Sequence, residues 1–485
     1  MDAAGTPQEA AMRHRVQSDT SEEPTGSGVD GHDLTVGSIP RHLIRFCLPM
    51  LASSGIRNAY DVVNGIWVGK GLGTEAMAAI TTGWPVFFFL VSVAIGLTTA
   101  ANILVAQAYG AKDWAQVRRI VRTSVVLVAV AGGVFIASGE LTAEAIFALL
   151  QTPDNVFPLA VGYLRVYLIS IIPTFGIFLL AALLRGAGDA TTPLYFQAGG
   201  LLLACGLDPV LMFGWLGFPA YGLMGTAYAL IVCQTLAFTA MALYLARRDH
   251  LVSPPWLRLR ADGPTAWLLL KIGAPVAVQQ SLVSTAILAV VAMVNGFGDA
   301  AAAAYGTSWR IEGFALLPAL TIGAAVSSVA GQNIGAHRYD RVREIFRWAL
   351  VFSGSITVAA GIPMMLFPHG LLRVFIDDPE VVQIGAGYLI RVAPSYIFFA
   401  IMFVSNGVIN GAGHTLMTTL ISVVSLWGVR VPAAYLISTH MGTVEGVWWG
   451  IIIGFGTGAT LSLIYYLTGR WEKPVGVAAA EADTA

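Results

Sequence analysis

Long apolar runs dominate this chain of 485 residues and limit what it can fold into more than any other feature. Twelve stretches have the length and composition of a membrane-spanning helix, which needs about 20 mostly apolar residues. Charged residues make up only 11% of the chain, against roughly 25% in a soluble domain, which is too few to cover a water-facing surface. The sequence therefore predicts an all-α integral membrane protein with twelve transmembrane helices.

The predicted spans lie between two polar ends. We place them at residues 42–69, 75–105, 120–139, 157–184, 191–213, 219–245, 268–296, 303–330, 344–367, 383–409, 415–438 and 444–468. Residues 1–37 and 471–485 lack apolar runs and are predicted to be disordered cytoplasmic tails. Between them we expect an N-lobe with spans 1–6 (residues 38–246), a cytoplasmic linker (247–265) and a C-lobe with spans 7–12 (266–470).

The distribution of basic residues predicts the orientation. Of 27 Lys and Arg residues, five fall well inside predicted spans, away from the span ends. Only Lys70 and Arg373 fall in connections opposite the N-terminus, and the other twenty lie on the same side as it. Because cytoplasmic loops carry the excess of Lys and Arg, we expect both termini to be cytoplasmic and the protein to sit in the cell (inner or plasma) membrane.

The two predicted lobes are related by an internal repeat. The loops after spans 2 and 8 share seven identical positions at a constant offset of 225 residues. The matching segments are 107–122 with 332–347, 162–164 with 387–389, and Gly186-Ala187-Gly188 with Gly411-Ala412-Gly413. Each half has an even number of spans, so the halves are parallel repeats related by an axis along the membrane normal. Such halves usually enclose a central cavity and rock to give alternating access.

The sequence shows no pattern typical of an enzyme. It has no HExxH and no paired CxxC, and the glycines between Gly65 and Gly71 have the wrong spacing for a phosphate-binding loop. No ATPase domain is apparent either. We therefore expect a protein that is not an enzyme and binds no metal or cofactor. Its energy source is expected to be an ion gradient, of H⁺ or Na⁺, or a partner chain.

Three carboxylates lie within predicted spans: Asp61, Asp208 and Glu312. A charged group at the centre of a membrane helix costs about 2.5–3.5 kcal/mol on the insertion scale, so such residues are functional candidates. All three are predicted to lie in the outer half of the membrane. Two carboxylates at one depth repel each other unless a cation or proton lies between them. This pattern predicts a proton or Na⁺ site.

Structural explanations for the same carboxylates remain open. Arg57 lies four residues before Asp61, and Arg310 lies two residues before Glu312, so each pair could simply neutralise itself. The dipeptide Asp208-Pro209 could also mark only a kink in span 5.

The order of these motifs resembles that of the MATE (multidrug and toxic compound extrusion) transporters, and within them the DinF-like prokaryotic branch. The resemblance covers about residues 38–470. Its markers, weak one by one, are the two Gln-x-x-Gly-Ala loops, the two Gly-Ala-Gly loops, Pro49, Asp61, Gly69, Gly73, Asp208-Pro209, Trp427, Arg430 and Pro432. It implies two six-helix lobes around a cleft and export of organic, often cationic compounds by cation antiport. It also implies partners limited to membrane lipid and a small organic substrate, with no nucleic acid, and a monomer.

In this branch the cation site lies in the N-lobe and uses two aspartates, a Tyr, an Asn and a Thr. The resemblance carries four of these roles to Asp61, Asp208, Tyr163 and Thr226. The Asn is missing, since Ala204 stands one helical turn before Asp208. This loss, with Arg57 beside Asp61, favours proton over Na⁺ coupling. The span 7 carboxylate of the NorM-like branch is also absent, and Gln279 and Gln280 lie in that region.

Other functions are not excluded by the sequence. A lipid-linked glycan or other lipid flippase of the same superfamily would need a cationic cavity for phosphates. Five arginines within spans keep that alternative open: Arg57, Arg165, Arg310, Arg391 and Arg430. A membrane scaffold or receptor is a second alternative, whereas the loop motifs disfavour twelve-span facilitators. Because the Asp61–Asp208 pair is not repeated in the second half, we expect ion coupling in the N-lobe only.

Overall fold

The computed structural model describes residues 32–256 and 260–476, and within them the long elements are twelve helices. They are α1 (Ile39–Gly71), α2 (Thr74–Gly110), α3 (Trp114–Leu149), α4 (Phe157–Ile169 and Ile171–Gly186), α5 (Thr191–Phe213), α6 (Leu223–Arg247), α7 (Gly263–Asn295), α8 (Asp299–Gly335), α9 (Tyr339–Leu366), α10 (Pro379–Gly411), α11 (Thr415–Met441) and α12 (Glu445–Leu467). A short helix, Pro368–Arg373, precedes α10. The predicted all-α membrane fold is confirmed in this part of the chain.

Eleven of the twelve helices are long and apolar enough to cross a membrane, if the two bent segments of α4 are counted as one span. The first helix, α1, falls short of that hydropathy. Its second half holds four strongly polar residues within eight positions: Arg57, Asn58, Asp61 and Asn64. Such residues persist in a membrane helix when they face protein or a water-filled space rather than lipid. The polar face of α1 therefore needs to lie against other helices or water rather than lipid.

Two breaks in the helices repeat between the lobes. The α4 segments meet at an angle of 47° around Ser170, and α10 contains a 3₁₀ turn at Ala393–Ser395. Ser170 and Ser395 are 225 residues apart, and each hydroxyl donates to the carbonyl three residues earlier at 2.6 Å. By contrast, the π-helical segment Val424–Arg430 of α11 has no counterpart in α5. The lobes therefore share the position of this irregularity in α4 and α10 but differ at α5 and α11.

Each lobe buries its own apolar core, and a third cluster joins the lobes at one end of the bundle. This is the end where α1 begins and α12 ends, hereafter the terminal end. There the first turns of α1, with Ile39, Leu43 and Phe46, pack with residues of α8 and α9 from the other lobe. The N-lobe thus donates part of its first helix to the surface between the lobes.

The duplicated motifs form the central fastening between the lobes. Gln107 Nε2 donates to the Gly411 carbonyl at 2.8 Å, and its repeat partner Gln332 donates to the Gly186 carbonyl at 2.9 Å. Each glutamine therefore binds the Gly-Ala-Gly loop of the opposite lobe. Gly110 packs against the Gln332 backbone so closely that a Cβ would lie 1.9 Å from the Gln332 oxygen. A side chain at this position would force the lobes apart.

Hydrogen bonds between the lobes occupy only part of the bundle's length. Among the described residues they run from Ser92–Ser281 (3.2 Å), near the middles of α2 and α7, through Asn102–Ser328 (3.0 Å) to the terminal end. The close contact between Gly96 and the Gly273 carbonyl lies in the same half. The lobes are therefore fastened at the terminal end, and within the described residues no hydrogen bond joins them towards the opposite end.

Parts of the predicted tails are packed rather than disordered, which corrects the sequence-based boundaries. Leu34 is 3% exposed, and its N–H donates to Gln332 Oε1 at 3.0 Å. Trp471 is buried, and the Val475 N–H donates to the Ala412 carbonyl at 2.9 Å. The reason is that the fastening between the lobes leaves buried polar atoms that these segments satisfy. Residues 1–31, 257–259 of the linker and 477–485 lie outside the described residues.

Candidate cation-coupling site

Asp208 is a fully buried carboxylate near the end of α5, 0% exposed. Asn64 Nδ2 on α1 donates to Asp208 Oδ2 at 2.9 Å, and the Tyr60 hydroxyl is a second neighbour of this carboxylate. Asp208 Oδ1 is buried and has no hydrogen-bond partner within the described residues. A buried carboxylate without full hydrogen bonding is costly. The site thus holds one oxygen ready to accept a proton or a cation.

Two further residues predicted for the site meet Asp208 from other helices. The Tyr163 hydroxyl on α4 lies close to Thr226 on α6 and interacts electrostatically with Asp208. Thr226 is 3% exposed, and its hydroxyl also donates to the Leu223 carbonyl at 3.0 Å. Asp208, Tyr163 and Thr226 therefore lie near one another, on α5, α4 and α6.

Asp61 lies at the edge of this group. It is exposed, and it interacts with Arg57 on its own helix and with Tyr167 on α4. The Arg57 guanidinium lies 5.4 Å from the centre of the Phe178 ring, and no ion pair within 4 Å joins Arg57 to Asp61 in the described residues. Arg57 is thus held by an aromatic face rather than by the carboxylate.

The two aspartates are connected through aromatic residues. Tyr60 interacts with both Asp208 and Asp61, and the Tyr163 and Tyr167 rings stack with centroids 6.3 Å apart. We call Asp208 and the residues near it the N-lobe cluster. Its members are Tyr60, Asp61, Asn64, Tyr163, Asp208 and Thr226.

The sequence did not identify Tyr60 or Asn64. Ala204, which stands where the resembled branch has its Asn, is buried, and the amide that reaches Asp208 comes from α1 instead. The sequence does contain a signal for Tyr60 and Asn64, because residues three and four apart share one helix face. Positions 57, 60, 61 and 64 follow that spacing, and all four are polar.

The C-lobe holds a different buried carboxylate. Glu312 on α8 is 4% exposed and accepts a hydrogen bond from the Tyr388 hydroxyl on α10. The alternative that Arg310 neutralises Glu312 is wrong, because Arg310 is exposed and forms no ion pair within the described part of the chain. Gln280 makes no hydrogen bond there either, whereas Gln279 donates to Ser422 Oγ at 2.6 Å. The charged neighbour of Glu312 is Arg430 on α11.

The arginines within the spans do not assemble into one cationic cavity. Arg165 pairs with Glu140 and Glu144 at 3.0 and 3.1 Å, and Arg391 pairs with Glu445 at 2.7 Å. The others are dispersed over three helices: Arg57 on α1, Arg310 on α8 and Arg430 on α11. A cavity built to hold lipid-linked phosphates would need several unpaired arginines together.

Comparisons with known proteins agree with this arrangement. The MatE family model matches the chain twice, at residues 49–210 and 275–436. The chain is 33% identical over 445 residues to the probable multidrug resistance protein YoeA of Bacillus subtilis, covering 90% of this chain and 95% of that protein. It is 27% identical to the probable multidrug resistance protein NorM of Thermotoga maritima, covering 90% and 94%.

A solved structure shares the fold. It is described as the outward-facing conformation of a multidrug resistance MATE family transporter of the MOP superfamily. The TM-score is 0.85 at 22% identity, and the match covers 91% of this chain and 98% of that one. At this identity the likeness concerns the fold alone. The two matched segments of the family model begin 226 residues apart, at 49 and 275, which agrees with the internal repeat.

Proposed function

The chain belongs to the MatE family of membrane transporters, and on that premise we propose that it exports organic, often cationic compounds in exchange for protons. The observation that carries this proposal is Asp208, a buried carboxylate whose neighbours come from α1, α4 and α6. A group placed between several helices changes their packing when its charge changes. Relatives named as multidrug resistance proteins support the substrate class.

The donor set around Asp208 supports a proton as the coupling ion. Na⁺ is bound by oxygen ligands, as are other hard cations, whereas the group nearest to Asp208 Oδ2 is the amide nitrogen of Asn64, a hydrogen-bond donor. A donor competes with a metal ion for the same lone pairs. A proton needs only one oxygen, and Asp208 Oδ1 is available for it.

Protonation of Asp208 is the proposed coupling step. A carboxylate accepts hydrogen bonds more strongly than a neutral carboxyl group, so protonation weakens the attachment of Asn64 and Tyr60 to α5. The polar face of α1 is then bound less tightly to α5, and α1 repacks or bends. Pro49 lies within α1 and removes a backbone hydrogen bond, so the helix bends more easily there. In this scheme the repacking of α1 releases substrate outward, and loss of the proton to the cytoplasm restores the first state.

The basic residues at the terminal end support the proposed orientation. Arg41, Arg45, Arg338 and Arg341 all lie there, and cytoplasmic surfaces carry the excess of Lys and Arg. We therefore assign the terminal end to the cytoplasm and the membrane to the plasma membrane. With the lobes fastened at that end, we take the described conformation to be outward-open, and alternating access then requires the fastening to open.

Ion gradients imposed on everted membrane vesicles test the proposed coupling. With an acid lumen and no Na⁺, vesicles that contain the protein are expected to accumulate ethidium, a fluorescent organic cation. A Na⁺ gradient at equal pH on both sides is expected to drive no accumulation. Both results follow if Asp208 binds a proton rather than a metal ion. The measurement is the rate of ethidium fluorescence change after the gradient is imposed.

Vesicles without the protein provide the background for that measurement. Accumulation driven by the Na⁺ gradient alone would contradict proton coupling but leave export intact. If neither gradient moves ethidium or any other organic cation, while a fluorescent phospholipid or polyprenyl phosphate crosses the membrane, the flippase alternative is correct instead.

A further inference from the structure

Two short segments at the ends of the described chain contact the fastening between the lobes. Residues 32–37 precede α1, and we call them the N-terminal strap. Residues 471–476 follow α12, and we call them the C-terminal strap. The proposed function assigns neither of them a role. A segment that contacts both lobes has to lose contacts when the lobes separate, so each strap bears on how the terminal end opens.

The backbone of Leu34 attaches the N-terminal strap to the end of α8. Its N–H donates to Gln332 Oε1 at 3.0 Å, and its carbonyl accepts from Asn333 Nδ2 at 3.2 Å. Gln332 also donates to the Gly186 carbonyl of the N-lobe. The Leu34 side chain is 3% exposed and belongs to the apolar cluster that joins the lobes. This strap is therefore a part of the fastening rather than a segment that lies on its surface.

Two arginines at the start of α9 bind the rest of the N-terminal strap. Arg338 Nη1 donates to the Thr35 carbonyl at 2.9 Å, and Arg341 Nη2 donates to the Gly37 carbonyl at 3.1 Å. Hydrogen bonds from charged donors are roughly twice as strong as neutral ones. Both arginines belong to the C-lobe, whereas the strap continues into α1 of the N-lobe. With the two bonds of Leu34, four hydrogen bonds thus join this strap to the opposite lobe.

The C-terminal strap reaches the fastening from the other lobe. It follows α12 of the C-lobe, and the Val475 N–H donates to the Ala412 carbonyl at 2.9 Å. Gly476 is buried against the N-lobe. A Cβ on Gly476 would lie 2.6 Å from Gln107 Oε1 and 3.0 Å from Leu104 Cδ2. This strap therefore contacts both lobes as well, by a hydrogen bond within its own lobe and by close packing on the opposite one.

The internal repeat supplies an independent argument, because the straps lie at equivalent places. Gly188 and Gly413 end the two Gly-Ala-Gly loops and are 225 residues apart. A Cβ on Gly188 would lie 2.2 Å from the His32 carbonyl oxygen, and a Cβ on Gly413 would lie 2.8 Å from the Val475 carbonyl oxygen. The straps are not copies of each other, since one precedes the first helix of its lobe and the other follows the last. Two unrelated segments therefore pack on the same element of each lobe.

We propose that the two straps form a latch that holds the lobes together at the terminal end and is released each time this end opens. When the lobes separate, the N-terminal strap cannot keep both its connection to α1 and its hydrogen bonds to α8 and α9. Water then binds the freed backbone groups, which makes the release reversible. The strength with which the straps are attached thus sets the equilibrium between the fastened and the opened state.

The reactivity of a buried cysteine in the purified protein tests this inference without a substrate. Ser328 is 0% exposed and hydrogen-bonds Asn102 of the opposite lobe, so Ser328→Cys reacts with a water-soluble maleimide only when the lobes part. The three native cysteines are replaced by alanine. Because opening is fast relative to the reaction, the reaction rate is proportional to the opened population. A small opened population is therefore sufficient for the measurement.

Two substitutions weaken the attachment of the N-terminal strap. Leu34→Ala removes an apolar side chain from the cluster between the lobes and is expected to raise the maleimide reaction rate by about 10-fold or more. Arg338→Ala removes one hydrogen bond to the strap and is expected to raise this rate by about 3- to 10-fold. Because Arg338 is exposed, Arg338→Ala keeps the test decisive if Leu34→Ala fails to fold.

Each of these substitutions has a matched control. Val36→Ala changes an exposed side chain of the same strap. Arg347→Ala changes an exposed arginine of α9 that makes no hydrogen bond to the strap within the described residues. Both controls are expected to react at the rate of the protein that carries Ser328→Cys alone. Equal rates in Leu34→Ala, Arg338→Ala and their controls would refute the latch.

Gly476→Ala tests the C-terminal strap. The added Cβ collides with Gln107 of the N-lobe, so we expect the maleimide reaction rate to rise by about 3- to 10-fold. Gly442→Ala is the matched control, because Gly442 also has a positive φ of 65° but a Cβ there meets nothing within 4 Å. An unchanged rate in Gly476→Ala would refute the part of the proposal that concerns the C-terminal strap.

The inference rests on alternating access but on neither the coupling ion nor the substrate, so it and the proposed function can fail separately. If the strap substitutions leave the maleimide reaction rate unchanged, the latch is refuted while proton-driven export stands. If ethidium is not transported but the strap substitutions raise the reaction rate, the proposed function is refuted and the latch stands.

Discussion

Asp208→Asn is expected to abolish proton-driven export and to reduce ethidium accumulation in everted vesicles to the level of vesicles without the protein. The substitution keeps the shape of the side chain and its contact with Asn64, but an amide cannot take up and release a proton. Because Asp208 is 0% exposed, no other group of the N-lobe cluster can move into its position and take up the proton. The measurement is the initial rate of ethidium accumulation under an acid-inside gradient.

A graded series around the same site separates coupling from misfolding. Asn64→Ala removes a hydrogen bond to a charged group, worth about 1.5–3 kcal/mol, so we expect transport to fall by roughly 10- to 100-fold. Asp154→Asn, an exposed aspartate of the same lobe, is the matched control and should transport like the wild type. Gradient-dependent transport at the wild-type rate in Asp208→Asn would refute carboxylate coupling in the N-lobe. Asp61→Asn, at the edge of the cluster, should have a smaller effect than Asp208→Asn.

Gly110→Ala is expected to open the fastening between the lobes. A Cβ at this position would lie 1.9 Å from the Gln332 carbonyl oxygen, and its three nearest neighbours are all backbone atoms that cannot rotate away. Overpacking of this kind costs about 1–3 kcal/mol, so the population of the fastened state relative to the opened state should fall by roughly 5- to 150-fold. The measurement is the rate of disulfide formation between Asn102→Cys and Ser328→Cys, whose native side chains are 3.0 Å apart.

The cross-link reports whether the lobes remain in contact at the terminal end. It is detected by cleaving an engineered protease site in the linker between α6 and α7, after which only cross-linked lobes stay joined. The three native cysteines form no disulfide in the described structure. Gly133→Ala on α3, where a Cβ meets nothing within 4 Å, is the matched control. An unchanged cross-linking rate in Gly110→Ala would show that this contact does not hold the lobes together.

Much of the fold follows from patterns that are local in the sequence. Apolar runs predict spans, and the duplicated loops 107–122 and 332–347 predict two equivalent lobes. What the repeat could not show is that Gln107 and Gln332 each bind the other lobe, because a match between two segments contains no information on their contact. The packed segments at 33–37 and 471–476 were missed for a similar reason. Their partners are buried polar atoms of the distant fastening rather than neighbours in sequence.

The candidate site was predictable in part. Asp208, Tyr163 and Thr226 came from the family resemblance, and the structure brings them together. Asn64 was missed because the amide reaches Asp208 from a helix that starts about 150 residues earlier in the chain, and only the three-dimensional packing joins them. Likewise, the sequence suggested Arg310 as the partner of Glu312 by proximity, but the charged neighbour of Glu312 in the fold is Arg430 of α11, which is distant in sequence.

Proton movement in reconstituted vesicles tests the central claim most directly. The purified protein is placed in liposomes that contain a trapped pH-sensitive dye, in Na⁺-free buffer with an acid lumen, and ethidium is added outside. We predict that ethidium entry is accompanied by a rise in lumenal pH with the wild type, and that Asp208→Asn shows neither. Ethidium transport by the wild type with no change in lumenal pH would contradict proton antiport through the N-lobe cluster.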